Sequence, residues 1–123
     1  MKKVTLYFFL VLIFCDISFA SSYLTDLKKK ADAGDAIAQN DLGYLYLYGN
    51  KELGVSIDLD TGIDYLNKAA EQDQVNAMTT IGWNYFLGSN GAEQNDEEAI
   101  YWNKRASDLG FTIASYNMGF FYY

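Results

Sequence analysis

Histidine and proline are absent from this chain, and cysteine occurs once, as Cys15. Without histidine the chain lacks the commonest acid–base side chain. One cysteine cannot close an intramolecular disulfide, and no Ser-x-x-Lys motif occurs. Thiol and serine nucleophile arrangements are therefore missing their partners. Without proline, helix ends have to be read from glycine and capping residues. Positive charge is also scarce, with 9 Lys and Arg against 16 Asp and Glu. The resulting field repels nucleic acid and anionic lipid. No cofactor is expected.

The first twenty residues form a segment of their own. Lys2 and Lys3 precede an apolar run over residues 4–15, and Ser18, Phe19 and Ala20 lead to Ser21. Charged start, apolar middle and small-residue end are the parts of a secretory signal peptide, with cleavage expected between Ala20 and Ser21. The run is shorter than the ~20 residues that span a bilayer, and Asp16 follows it. An uncleaved membrane anchor is the alternative. A lipoprotein reading of Cys15 fails because the large Phe14 precedes it. Cleavage removes Lys2, Lys3, Cys15 and Asp16, moving the net charge from −7 to −8. The mature chain is then a thiol-free protein of one domain, periplasmic or secreted, with no membrane contact after cleavage.

What is present is repetition. The stretches around LGYLY, IGWNY and MGFFY align Ala38 with Ala77 and Ala114, and Leu42 with Ile81 and Met118. They also align Gly43 with Gly82 and Gly119, and Tyr46 with Tyr85 and Tyr122. A fixed period of this order marks a solenoid of helix pairs. Ala38, Leu42 and Tyr46 fall on one helical face. Glycine inside a helix costs about 1 kcal/mol against alanine, so three aligned glycines predict a second helix passing close. A second phrase, GIDYLNKAAEQD, aligns with AIYWNKRASDLG. Each repeat thus reads as helix A, loop, helix B. Asp58 and Asn95 are the expected N-caps of the B helices, and Glu98 stands at capping-box spacing from Asn95. YLTDLKKKADAG reads as a B-like N-terminal cap.

These residues carry a resemblance. Ala38, Leu42-Gly43, Tyr46, Gly49, Gly54-Val55, Asp58 and Lys68-Ala69-Ala70 are similar to the Sel1-like repeat. Ala77, Ile81-Gly82, Tyr85, Gly88, Ala99, Trp102 and Ala106 repeat the pattern. The resemblance implies an all-α, right-handed α-solenoid related to the tetratricopeptide fold, acting as a protein-binding scaffold. Exported bacterial members of the family are linked to contact with host proteins, including secretory immunoglobulin A. The expected organisation is a signal peptide over 1–20, a capping helix over 21–34, repeats over 35–73 and 74–110, and a partial repeat over 111–123. Some positions depart from the pattern. Gly62 replaces an alanine and predicts a weak start to its helix. Asp73 stands where Gly34 and Gly110 end their helices. The loop from Gly49 to Gly54 is long. The third repeat lacks a B helix, which predicts an incomplete solenoid whose Ala114/Met118/Tyr122 stripe either self-associates or leaves the residues after about Ser115 poorly protected from hydrogen exchange.

Candidate binding residues follow from the helix A positions turned away from the Ala38 face. Tyr44, Trp83 and Phe120 share one repeat position, with Tyr48 and Leu87 a turn later and Asp41 beside them. They read either as an aromatic column facing a partner or as rings filling the seam between successive A helices. The negative charge predicts a partner with basic patches. A carboxylate-dependent hydrolase of cell-wall glycan is the enzymatic alternative, and a truncated remnant without activity is another. No catalytic residue is assigned, and the chain is read as a non-enzyme. Asp58 and Asp60 resemble part of a calcium loop, but glycine falls at the wrong position for an EF-hand. Asp58 is better read as a cap, and no metal site is assigned.

Overall fold

A computed structural model describes residues 2–121, apart from the side chains at 2, 5, 8, 120 and 121. Among the described residues the secondary structure is helical: α1 (Lys2–Asp32), α2 (Ala36–Tyr48), α3 (Leu59–Glu71), α4 (Val75–Leu87), α5 (Asp96–Asp108) and α6 (Thr112–Phe121). Each helix packs against its neighbours in the chain, α1 on α2 through to α5 on α6. The result is an α-solenoid in which α2, α4 and α6 are the A helices and α3 and α5 the B helices.

Short turns join each B-type helix to the next A helix, and their central residues are left-handed. Gly34 has φ +98°, Asp73 +62° and Gly110 +88°. The turn needs that conformation whichever residue occupies it, and aspartate tolerates it better than most side chains. Asp73 also accepts from the Arg105 guanidinium at 2.7 Å, which ties this turn to α5.

The longer A-to-B loops are fastened at both ends. Asn50 and Val55 exchange both backbone hydrogen bonds at 2.8 Å, and Asn50 Oδ1 accepts from the Leu53 amide at 2.9 Å. The extra length of this loop is thus a closed miniature hairpin. In the second loop the buried Asn84 side chain accepts from Asn90 Nδ2 at 3.0 Å. The B helices then start in the same way in both repeats. Asp58 caps α3 by accepting from Thr61 N at 3.1 Å and Thr61 Oγ1 at 2.7 Å. These bonds hold its carboxyl below the usual carboxylate range. Asn95 caps α5 by accepting from Glu98 N at 3.1 Å. The reciprocal half of the expected capping box is not made. The Asn95 amide donates to Tyr85 O at 2.9 Å, as the Asp58 amide donates to Tyr46 O at 2.8 Å. Each B helix is therefore pinned at its N-cap residue to the aligned tyrosine of its own A helix.

The A–B crossings are set by glycine. A Cβ built on Gly43 would lie 2.8 Å from Leu66 Cγ and 2.9 Å from Gly62 O. One built on Gly62 would lie 3.0 Å from both Gly43 O and Leu47 N. Gly62, expected only to weaken the start of α3, is in fact the other half of a backbone-to-backbone contact. At Gly82 the added carbon would collide with the Asn103 amide and lie 3.1 Å from Ala99 O. Gly119 breaks the expected pattern, because among the described residues nothing lies within 4 Å of the corresponding point.

Two apolar clusters make up the core. Leu27, Ala31, Ala38 and Leu42 join α1 to α2. Leu47, Leu66, Ala69, Ala70, Ala77, Met78, Ile81, Ala106 and Ala114 join α2 through α6. Ala114, expected to await a missing helix, is already covered and fully buried, while Met118 is half-buried. Tyr122 lies outside the described residues. Three buried polar side chains also contribute. Gln39 donates to Ala31 O at 3.1 Å and accepts from Gln72 at 2.8 Å. Asn103 donates to Ala99 O at 3.0 Å and accepts from Asn117 at 3.1 Å, joining α5 to α6. Asn84 is the third.

α1 continues without a break across the expected cut after Ala20, since no glycine or proline interrupts residues 2–32. Its contribution to the core begins at Leu24 and Leu27. Between residues 3 and 19 the described side chains are all exposed. The segment from Phe9 to Asp32 is long and apolar enough to cross a membrane, a test that a signal sequence also passes.

Candidate functional site

The A helices position the candidate residues. In α2, the 3.6-residue period that buries Ala38 and Leu42 turns Asp41, Tyr44 and Tyr48 outward. Tyr44 is 53% exposed and Tyr48 49%. Their rings lie 4.5 Å apart at a tilt of 48°, an i,i+4 aromatic pair on one helix face. Asp41 is exposed and accepts from Asn40 Nδ2 at 3.2 Å. In α4, Trp83 is 37% exposed and its ring lies 5.4 Å from that of Phe86. Leu87, one turn on, is exposed. Phe120 is the third member of the expected column, and its side chain lies outside the described residues. Among the described residues, the core clusters include neither Tyr44 nor Trp83.

Ile37 and, on α6, Ile113 and Tyr116 are also exposed. Their residue types alone do not mark them as surface positions, but Ile37 and Ile113 each stand one residue before an aligned alanine. That alignment was the available signal.

The charged chemistry lies on the other layer. On α3, Lys68 pairs with Asp64 at 2.7 Å and lies 5.3 Å above the Tyr65 ring. On α5, Arg105 lies 5.8 Å from the Trp102 ring, at the aligned position. Tyr65 stacks on Tyr46 with 6.3 Å between rings and donates to Asp32 at 2.9 Å. Burial first, then that hydrogen bond, pushes its phenol up to about 12. Asp58 and Asp60 serve the start of α3. Among the described residues no group of three or more His, Cys, Asp or Glu side chains could hold a metal ion.

Comparison with known proteins agrees with this architecture. The family model for the Sel1 repeat matches residues 36–74 and 75–111. Chitin synthase regulatory factor 3 of Schizosaccharomyces pombe is 38% identical over 95 residues, covering 76% of this chain and 10% of that protein. Chitin synthase regulator SKT5 of Saccharomyces cerevisiae is 32% identical over 94 residues, covering 75% of this chain and 13% of its own length. The chain thus spans only about a tenth of the curated relatives it matches. Among solved structures, a Sel1 repeat protein from Oxalobacter formigenes superposes with a TM-score of 0.72 at 36% identity, over 80% of this chain and 71% of that one. A protective antigen present in uropathogenic Escherichia coli strains, displaying an SLR fold, gives a TM-score of 0.74 at 36% identity, over 80% of this chain and 20% of that one. Sel1 repeat proteins are in general non-enzymatic scaffolds for protein–protein interaction. With two aligned helix pairs, glycine crossings at Gly43 and Gly82, and a family match spanning residues 36–111, this chain belongs to the Sel1 repeat family.

Proposed function

We propose that the chain is an exported scaffold that binds a partner protein through the exposed side of its A helices. The observation that carries this reading is the outward placement of Tyr44, Tyr48, Trp83 and Leu87 at matching positions of successive repeats. Aromatic side chains of this kind are the usual anchors of protein interfaces. Phe120 extends the same column by repeat position. Asp41 supplies a negative charge at its edge.

Export is supported by the layout of residues 1–20 and by the lack of core contacts before Leu24 among the described residues. The location is periplasmic or secreted, and a host protein is among the partners that fit an exported scaffold. Amino-terminal sequencing of cell-envelope and culture fractions tests it. A mature chain starting at Ser21 is expected, whereas one starting at Met1 in the membrane fraction would overturn export. Binding is tested by pull-down from periplasm and host secretions with the Tyr44→Ser/Trp83→Ser double variant as control. Partners retained equally by the variant would place the binding face elsewhere.

A further inference from the structure

The A helices and the B helices divide the chain's charge very unequally. α2, α4 and α6 together contain one charged residue, Asp41. α3 carries Asp60, Asp64, Lys68 and Glu71, and α5 carries six charged residues in its 13. Apart from Asp41, the exposed A-helix residues are aromatic, aliphatic or uncharged. Exposed helix surface normally gathers Lys and Glu, because they solvate it at little cost in helix propensity. A surface that excludes them over three helices while retaining Tyr, Trp and Ile has the composition of an interface core: rich in aromatics and depleted in charge.

We infer that the occupant of this face is a partner-protein segment of apolar and uncharged polar side chains with at most one cation, placed opposite Asp41. This rests on the reading of the A-helix side as the binding face. It departs from the basic partner that net charge alone suggests. The net charge of −7 belongs to the whole chain, but every acid except Asp41 lies off the A helices, on α1, α3, α5 and the connecting segments. At physiological ionic strength their field is screened beyond about 8 Å, so contacts on the A-helix face are governed by local composition. A partner rich in Lys and Arg would have to bury those charges against Tyr44, Trp83 and Leu87 with Asp41 as the sole counter-charge. Buried unpaired charge is strongly disfavoured. Binding at this face should therefore be nearly independent of salt, the single Asp41 pair contributing only a few-fold change.

The test is selection of a random dodecapeptide display library on the full chain, followed by titration of the best synthetic peptides. Enriched peptides are expected to carry aromatic or aliphatic residues and no more than one Lys or Arg. Their affinity should change by less than about threefold between roughly 50 and 500 mM NaCl, as one screened ion pair allows. Tyr44→Ser/Trp83→Ser should weaken them by about tenfold or more, as loss of two anchors requires. Asp41→Asn should remove the preference for the one cation. Circular dichroism melts of each variant establish that the fold persists. Enrichment of polybasic peptides whose binding collapses with salt would overturn this inference while leaving a protein-binding role intact. Apolar peptides indifferent to the Tyr44 and Trp83 changes would overturn the assignment of the face itself. An absence of enrichment over an unrelated control chain would sink both.

Discussion

Alanine placed in turn at Gly43, Gly82 and Gly119 makes one chemical change at three aligned positions, with opposite outcomes expected. In a helix interior alanine is favoured over glycine by about 1 kcal/mol. At Gly43 the new methyl would sit 2.8 Å from Leu66 Cγ and 2.9 Å from Gly62 O. Leu66 is fully buried, and the carbonyl belongs to the α3 backbone, so relief requires α2 and α3 to separate. Overpacking of this sort costs about 1–3 kcal/mol, leaving a net loss of about 1 kcal/mol after the propensity gain. At Gly82 the obstacle is the Asn103 amide, which can swing aside only by giving up its bonds to Ala99 and Asn117. Each such bond contributes about 1 kcal/mol, so Gly82→Ala should be destabilising by a similar amount, and Gly82→Leu should unfold the middle repeat. At Gly119 no described atom lies within 4 Å. There the propensity term stands alone, and stability should rise by up to about 1 kcal/mol. Urea unfolding followed by far-ultraviolet circular dichroism measures all three, with unchanged m-values showing that stability alone has moved. In thermal melts 1 kcal/mol corresponds to about 4–8 °C for a domain of this size. If Gly43→Ala raised the midpoint in step with Gly119→Ala, α2 and α3 would not meet backbone to backbone and the helix register would be wrong.

Three further outcomes are expected. Tyr65 has its phenol raised to about 12 in the fold, against an ordinary value of about 10. The stability it confers is present below the unfolded value and lost as pH rises through the folded one. Wild type should therefore lose more stability than Tyr65→Phe over that window, and parallel pH curves for the two proteins would refute it. Asn103→Ala strands the Asn117 amide and leaves a void beneath Gly82, which should cost about 1–3 kcal/mol in urea unfolding. An unchanged midpoint would show that the Asn103–Asn117 bond contributes nothing. Asn95→Ala removes the cap of α5 and should cost about 1 kcal/mol. Asn95→Gly should cost only a few tenths, because without a side chain water reaches the freed amides, and an unchanged midpoint for Asn95→Ala would show that the side-chain bond to Glu98 N contributes nothing.

The repeat was readable because alignment shows which positions recur, and recurrence survives uncertainty about any single helix. Gly43 and Gly82 were interpretable as crossings for that reason. Gly62 was not: taken alone it is a poor helix former, and its value lies in a contact with a residue 19 positions earlier that local propensity cannot register. Gly119 failed in the opposite sense, since it shares the pattern and has no close neighbour among the described residues. Asp73 was readable as standing at a helix end that glycine fills elsewhere, but its pairing with Arg105 across the next repeat was not. Asn103 was missed as a buried polar group because asparagine normally signals surface. Its alignment with the fully buried Leu66 was the available clue. Of the candidate site, the outward direction of Tyr44, Tyr48, Trp83 and Leu87 follows from the helical period. The near absence of charge along three whole helices emerges only once A and B helices are told apart.

The two separate apolar clusters also shape how the chain folds. α2 is the wall they share, giving Ala38 and Leu42 to one and Leu47 to the other. All principal interfaces join helices adjacent in sequence, so contact order is low and no long loop must close before its contacts are rewarded. Such an array behaves as a one-dimensional chain of coupled units. Release of α1 can occur as a sub-global opening that leaves the larger cluster assembled, whereas a lesion in α2 weakens both units at once. Native-state hydrogen exchange should then divide the amides into two cooperative groups, with α2 following the more stable of them.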